Sequence, residues 1–219
     1  MERLQEWTKP KVSRFECPRA DWIRVVNAAR RTWGKAPINH EPSDKFKKKI
    51  LLAEHSPIRL LEYDFTIENI RQWVTVHLVR HHKGCEKFVH TQRQDINDEI
   101  EKMTAKVIEV LSDVGITNNS WRERDYLFQG TPNDMDMTCN AQAFINISRK
   151  RLCKGCPSPE TRQAWEIVIE MLKEYDPVLA SKCVPECIYR GFCPEFERCC
   201  GYVKTKEYQN RLTEYRSIE

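Results

Sequence analysis

Four of the chain's six histidines, His77, His81, His82 and His90, fall within one stretch that also holds Arg80, Lys83, Lys87 and Arg93. On a helix His77 shares a face with Arg80 and His81. A cationic face running into a polar loop suits an anionic ligand, such as a phosphate, or an electron-rich ring system. Arginine is the stronger phosphate group because its planar fork binds two oxygens. A solvated basic helix end, favoured by the helix dipole, accounts for the same residues. Zinc held by His77 and His81 at i, i+4 lacks the glutamate of an HExxH motif between them. A second group lies in NAQAFINISRKR, residues 140–151. Eleven helical steps bring Arg151 to within about 20° of Asn140, with Asn146 about 120° away. Asn140 and Arg151 are therefore expected to face one ligand, with Asn146 on the flank. The alternative is an ordinary amphipathic helix with Phe144 and Ile147 in the core, although asparagine is a mediocre helix former.

Cysteine supplies the third group. The chain has 10 cysteines, most of them beyond residue 150. Cys153 and Cys156 form a CxxC, Cys183 and Cys187 a CxxxC, and paired knuckles of this kind can complete a four-thiolate zinc site. Cys193, Cys199 and Cys200 then exceed what one zinc needs, so an iron–sulfur cluster and free or paired thiols stay open. Cys85 is either a reactive thiol or an inert one.

The elements that must position these groups follow from hydrophobic spacing. The sequence predicts an edge strand near Val12–Phe15, then helices over Asp21–Arg31 and Lys45–Glu54, with a loop at Gly34–Asp44 between them. His55-Ser56-Pro57 stops the second helix. Leu61–Ile67 alternates as a strand. Helical spacing returns over Glu68–His82, residues 83–96 form a polar connection, and Ile96–Val114 is an amphipathic helix stopped by Gly115. A helical turn is expected at Trp121–Phe128 and a helix at Thr138–Leu152. Another starts at Ser158-Pro159-Glu160 and runs to Tyr175. Beyond Asp176 the chain is expected to be irregular. The balance is helix-rich α+β.

Composition bounds the function. The 219 residues are 40% hydrophobic and 31% charged, which excludes a disordered or collagen-like chain. A net charge of +4 does not demand a nucleic-acid partner, and 7 glycines leave little for a glycine-rich phosphate loop. The charged N-terminus has no signal-peptide core and no apolar run suits a membrane helix, so a reducing cytoplasm is the expected location.

Taken together, these segments resemble the flavin-dependent thymidylate synthases over most of the chain. That family is marked by Arg-His-Arg, seven or eight residues, then Ser-x-Arg. Here Arg80-His81-His82 precedes Thr91-Gln92-Arg93 across residues 83–90. His55-Ser56-Pro57 resembles the family's His-Thr-Pro, and Ala28-Ala29-Arg30-Arg31-Thr32 its Ala-Ala-Arg-x-Ser. Asn140, Asn146 and Arg151 match its Asn-Ala-Arg segment, and Ala164-Trp165-Glu166-Ile167 its Gln-Trp-Glu-Ile. Arg151-Leu152-Cys153 and the tail at Cys187–Glu195 resemble the cysteine-tailed branch.

The resemblance implies a mixed α/β protomer, with residues 1–176 forming the enzyme-like domain and 177–219 a Cys-rich extension packed on it. It implies a homotetramer with active sites shared between subunits, acting on no nucleic acid and no membrane. It implies FAD as cofactor, NADPH as reductant, and transfer of a one-carbon unit from methylenetetrahydrofolate to C5 of dUMP, giving dTMP. By position, Thr32, His55, Arg80, His81, His82, Asn140 and Asn146 would contact the flavin. His77, Thr91, Arg93, Arg124 and Arg151 would hold the nucleotide, with Arg151 catalytic, stabilising charge that develops on the pyrimidine. His82 replaces an arginine, Thr91 a serine, Val89 a glutamate, Gln94 a tyrosine, His77 a glutamine and Gln142 an arginine. Most of these exchanges lie on the nucleotide side, so dCMP or a different transferred group is the rival reading. A non-catalytic nucleotide- or nucleic-acid-binding module with a metal-stapled tail is the alternative from another class.

Overall fold

A computed structural model describes residues 9–93, 96–116 and 123–218. Its centre is a four-stranded, wholly antiparallel sheet in the order β1-β2-β4-β3. The strands are β1 (Lys11–Glu16), β2 (Glu62–Arg71), β3 (Cys85–Val89) and β4 (Pro132–Asn140). One face of the sheet is polar. The other buries Tyr63, Phe65, Ile67, Met135, Met137 and Cys139 against helices.

The helices before residue 176 are α1 (Trp22–Thr32), α2 (Asp44–Leu52), α3 (Gln72–Val79), α4 (Asp98–Asp113), α5 (Ala141–Arg151) and α6 (Pro159–Tyr175). Three more follow in the C-terminal part: α7 (Pro177–Lys182), α8 (Glu186–Arg190) and α9 (Lys206–Arg216). Side-chain caps set several starts. Asp21, Ser43, Asn140 and Ser158 each accept a hydrogen bond from a backbone N–H in the first turn, the usual way of satisfying orphan donors.

Aromatic packing fixes α5 and α6 on the sheet. Phe144 meets Tyr63 edge-on at 5.5 Å and Trp165 at 5.6 Å between ring centroids, contacts that add to the burial gain. The Trp165 indole N–H donates to Ser148 Oγ at 2.9 Å, so the one polar atom of that buried ring is satisfied. Asp176 ties three elements together, accepting from Trp22 Nε1 at 3.0 Å, Tyr63 Oη at 2.7 Å and the Leu179 N–H at 2.9 Å.

Several expectations need correction. Residues 83–96 are not all connection, because 85–89 form β3 on the open edge of β4. Residues 138–140 are strand, and β4 carries period-2 alternation: Met135, Met137 and Cys139 are buried while Asp134, Asp136 and Thr138 alternate with them. The strand at 61–67 continues to Arg71 through an irregularity at Asn69, whose φ is +58°, so α3 begins four residues later than its spacing predicts. The chain beyond Asp176 is largely helical rather than irregular. There a second cluster of Val184, Cys187, Ile188, Tyr202, Tyr208 and Tyr215 forms its own core. Helix α4 packs less than its pattern implies: Ile100 and Thr104 are buried, but Val110 is 55% exposed. Trp121 lies outside the described residues, although a turn does form over Glu123–Tyr126.

Candidate active site

The histidine segment leaves α3 and crosses the start of α5. Helix α3 ends at Arg80, so His81 and His82 sit in the turn that leads into β3. Lys87 holds that turn, its ammonium donating to the carbonyls of His81 and, at 2.9 Å, Cys85. Arg151, half-buried at the end of α5, reaches across to it. Its Nε donates to His81 Nε2 at 3.0 Å and its Nη2 to the His77 carbonyl at 2.5 Å. His77 is oriented by Thr161 Oγ1 at 2.9 Å, itself 2.8 Å from Ser158 Oγ. His77, His81 and Arg151 thus form one connected unit.

The hydrogen bond from Arg151 requires a neutral His81 with an unprotonated Nε2. Burial, followed by the charges of Arg151 and Lys87, pushes the imidazole pKa down to about 4, and burial and Arg151 also lower His77. The unfolded chain takes up a proton on His81 near the ordinary value of about 6.5, whereas the folded chain resists it. Stability is therefore full above that pH and falls as pH drops toward 4. Denaturation at pH 7 and pH 5 should show a loss of about 1–2 kcal/mol from this group, reduced by the ring's partial solvation. His81→Asn should flatten that part of the profile.

Two adjoining cavities form a groove beside this unit. One, about 300 Å³, is lined by Arg80, His81, His82, Lys83, Ala143 and Asn146, among others. The second, about 710 Å³, shares Lys83 and Asn146 and adds Glu54, Arg59, Gly84, Asn140 and Gln142. Asn140 is not on the Arg151 face of a helix. It is the last residue of β4 and the N-cap of α5, its Oδ1 accepting from the Ala143 N–H at 2.9 Å. Asn140 and Asn146 consequently share the groove, while Arg151 turns to the histidines. Behind Asn146, Glu54 accepts from Arg149 and, at 2.6 Å, from Gln142 Nε2. Arg149 also stacks on Tyr189 at 3.5 Å from the ring centroid.

A third cavity, about 630 Å³, lies between α1 and α2 and includes Thr32, His55, Arg30, Lys35, Lys49 and Trp33, which is 77% exposed. Thr91 lines a fourth, about 350 Å³, with Gln72, His90, Phe128 and Asn133.

Comparison with solved structures finds this architecture elsewhere. A UMP/dUMP methylase, PolB from Streptomyces cacaoi, bound with 5-Br dUMP, superposes with a TM-score of 0.57 at 15% identity, over 84% of this chain and 94% of that one. Thymidylate Synthase X from Helicobacter pylori, with FAD and dUMP, gives 0.58 at 15% identity, over 80% of this chain and 98% of that one. The fold is that of the flavin-dependent thymidylate synthases. No protein-family model matches the sequence, and no curated protein does.

Within this flavin-dependent thymidylate synthase fold, the residues expected to hold the flavin fall into two places. Arg80, His81, His82, Asn140 and Asn146 border the groove, whereas Thr32 and His55 line the cavity between α1 and α2, which shares no lining residue with it. Of the expected nucleotide residues, His77 and Arg151 meet. Thr91 lies on its own cavity, and the exposed Arg93 is next to it, its N–H donating to Thr91 Oγ1 at 3.2 Å. The Arg124 side chain and Gln94 lie outside the described residues.

The expected zinc set does not assemble. Cys183 is buried near Ser148 and Asp176, its thiol pushed up to about 12 mainly by desolvation, while Cys156 lies beside Arg151. Among the described residues no three His, Cys, Asp or Glu side chains could hold a metal ion. Also among them, no helix is long and apolar enough to cross a membrane.

Sequence reading missed Glu54, Arg59, Gly84 and Arg149 as groove residues or supports, while Lys83, named in the basic stretch, does line the groove. Glu54 directly precedes His55, and its φ of +50° turns the chain toward the groove, which no local sequence signal announces.

Proposed function

We propose that the chain is a flavin-dependent methylase of a pyrimidine deoxynucleotide, dUMP first. The observation that carries this is the groove where Arg80, His81, His82 and Lys83 face Asn140 and Asn146 on a fold shared with enzymes solved holding FAD, dUMP or its bromo analogue.

The donor set fits FAD. Ring carbonyls of an isoalloxazine accept hydrogen bonds, which the Asn140 and Asn146 amides can donate. The pyrophosphate needs cations, which Arg80 and Lys83 at the groove, or Arg30, Lys35 and Lys49 beside Trp33, can supply. The exposed Trp33 ring offers a stacking platform for adenine. Bound FAD would supply the hydride, taken from NADPH, that completes a methyl group drawn from methylenetetrahydrofolate. The protein's own residues bind and align. His81, kept neutral by its burial and then by Arg151, presents an uncharged ring edge to the groove. The Arg151 guanidinium, held against His81 at the edge of the groove, would supply the fixed positive charge for a pyrimidine that gains electron density at C5.

Two features favour sites shared between subunits of a homotetramer. The flavin set is divided between separate cavities of one protomer, and α4 with its C-cap leaves Val110 and Val114 exposed. Residues of different protomers would then complete one site, with Thr91, Arg93 and Arg124 clamping the phosphate.

Incubation with dUMP, UMP and dCMP in parallel, with FAD, NADPH and methylenetetrahydrofolate, tests the substrate. Conversion of dUMP at least tenfold faster than dCMP is expected. Preferential conversion of dCMP would move the assignment to the rival substrate.

A further inference from the structure

The carboxylate of Glu54 anchors one wall of the groove and sets the polarity of the two amides beside it. A carboxylate can only accept hydrogen bonds, and a guanidinium can only donate them. Gln142 therefore turns Nε2 toward Glu54, donating at 2.6 Å, and Arg149 donates to the same carboxylate. Gln142 Nε2 also donates to Asn146 Oδ1 at 3.4 Å, and so does Arg149 Nη1 at 3.4 Å. Both lone pairs of that oxygen are then engaged. The Asn146 amide cannot flip, because its Nδ2 would face two donors. Arg149 is itself held by its stack on Tyr189.

The groups left over make a defined pattern. Gln142 and Asn146 lie one turn apart on α5 and line the same cavity. Gln142 keeps its Oε1 acceptor and Asn146 its Nδ2 donor. Neither atom is sealed from solvent, and neither has a partner among the described residues. A ring that carries an N–H beside a carbonyl, an imide edge, offers a partner to each. Uracil and isoalloxazine both have that edge, whereas cytosine lacks the ring N–H. An arginine at 142, as in the family the sequence resembles, would supply no acceptor.

The backbone at Glu54 points the same way. It follows α2 at a φ of +50°. Its N–H reaches the Leu51 carbonyl at 3.1 Å, and the His55 N–H reaches the Ile50 carbonyl at 3.2 Å, which closes the helix end. Glycine is the residue that suits this left-handed position. A glutamate here strains the chain, and such strain persists where the side chain is needed.

We propose that Glu54 is a positioning residue: through Gln142 and Asn146 it makes this wall of the groove the complement of an imide edge, selecting uracil- or flavin-type rings over rings without that N–H. The inference rests on the groove being the ring-binding site of the function proposed above.

The test is binding by the full chain, read by flavin fluorescence for FAD against 3-methyl-FAD, and by calorimetry for dUMP against N3-methyl-dUMP with FAD present. The methyl group removes the ring N–H and leaves Gln142 Oε1 unpaired. Wild-type protein should bind the methylated member of one pair about tenfold or more weakly, and the pair that shows this preference identifies the ring at this wall. In Glu54→Gln and Glu54→Gly the preference should fall to about twofold or less, because both amides become free to turn. Gln142→Met, which removes the acceptor itself, should lose it as well. Glu54→Gly should melt no lower than Glu54→Gln, since glycine relieves the backbone strain, and this separates lost positioning from lost folding. Wild-type protein that binds FAD and dUMP without preference in either pair, or a preference that any of these folded variants keeps, would overturn the proposal. Wild-type protein that binds neither FAD nor dUMP would overturn the proposed function and this inference with it.

Discussion

Replacing Arg151 with alanine is expected to lower turnover by about a hundredfold or more while raising the pKa of His81. Arg151 makes two hydrogen bonds, to His81 Nε2 and to the His77 carbonyl. Its charge is also the largest cause, after burial, of the lowered His81 value. Without it, His81 moves back toward its ordinary range and carries charge at a higher pH. The freed acceptors cost about 1–3 kcal/mol of stability if they remain buried and unpaired. Arg151→Lys should not restore the wild type, because one ammonium on a flexible stem cannot reproduce a planar fork bonded to two acceptors at fixed angles. An NMR titration of His81 separates this from a simple folding defect: a folded variant with an unshifted histidine would refute the coupling.

The second large effect concerns Gly84. Its φ of +72° lies in the left-handed region, and a Cβ there would stand 2.6 Å from Asn140 Oδ1 and 2.7 Å from Asn140 Cγ, and would also clash with Nδ2. Gly84→Ala therefore adds a backbone cost of about 1–2 kcal/mol and pushes Asn140 out of place. Asn140 caps α5 and lines the groove, so the displacement reaches both. The expected outcome is a lower melting temperature with FAD affinity reduced about tenfold or more, measured by fluorescence titration. Gly115, also at positive φ but with open space around its Cβ position, is the control: Gly115→Ala should pay the backbone cost without touching FAD affinity.

Much of this arrangement was legible before any coordinates, and the misses have physical causes. Helices with caps and clear periodicity, such as α1 and α6, appear where their spacing places them. Strand β4 was hidden because two of its outward positions, Asp134 and Asp136, are poor strand formers, and because the four buried side chains alternating with them are Asn133, two methionines and Cys139, which signal no preferred element. The end of α3 was placed too late because the chain leaves the helix at Arg80 and turns into β3 through Gly84, whose φ is +72°. That error put His81 on a helix face when it lies in a turn, and it concealed the contact with Arg151. Similarly, treating Asn140 as helical put it on the wrong side of α5. The cysteines show the limit of spacing most plainly. CxxC and CxxxC suggest pairs close in sequence, whereas one small cavity collects Cys153, Cys187, Cys193 and Cys200 from across the tail. Only tertiary packing of α8 against the end of α5 brings them together.

The most direct measurement is nucleotide product analysis after incubating the purified chain with dUMP, methylenetetrahydrofolate, NADPH and FAD. A flavin-dependent methylase of this fold gives dTMP, in amounts that require FAD and fall away in Arg151→Ala. A folded protein that retains no FAD and leaves dUMP unchanged would contradict it.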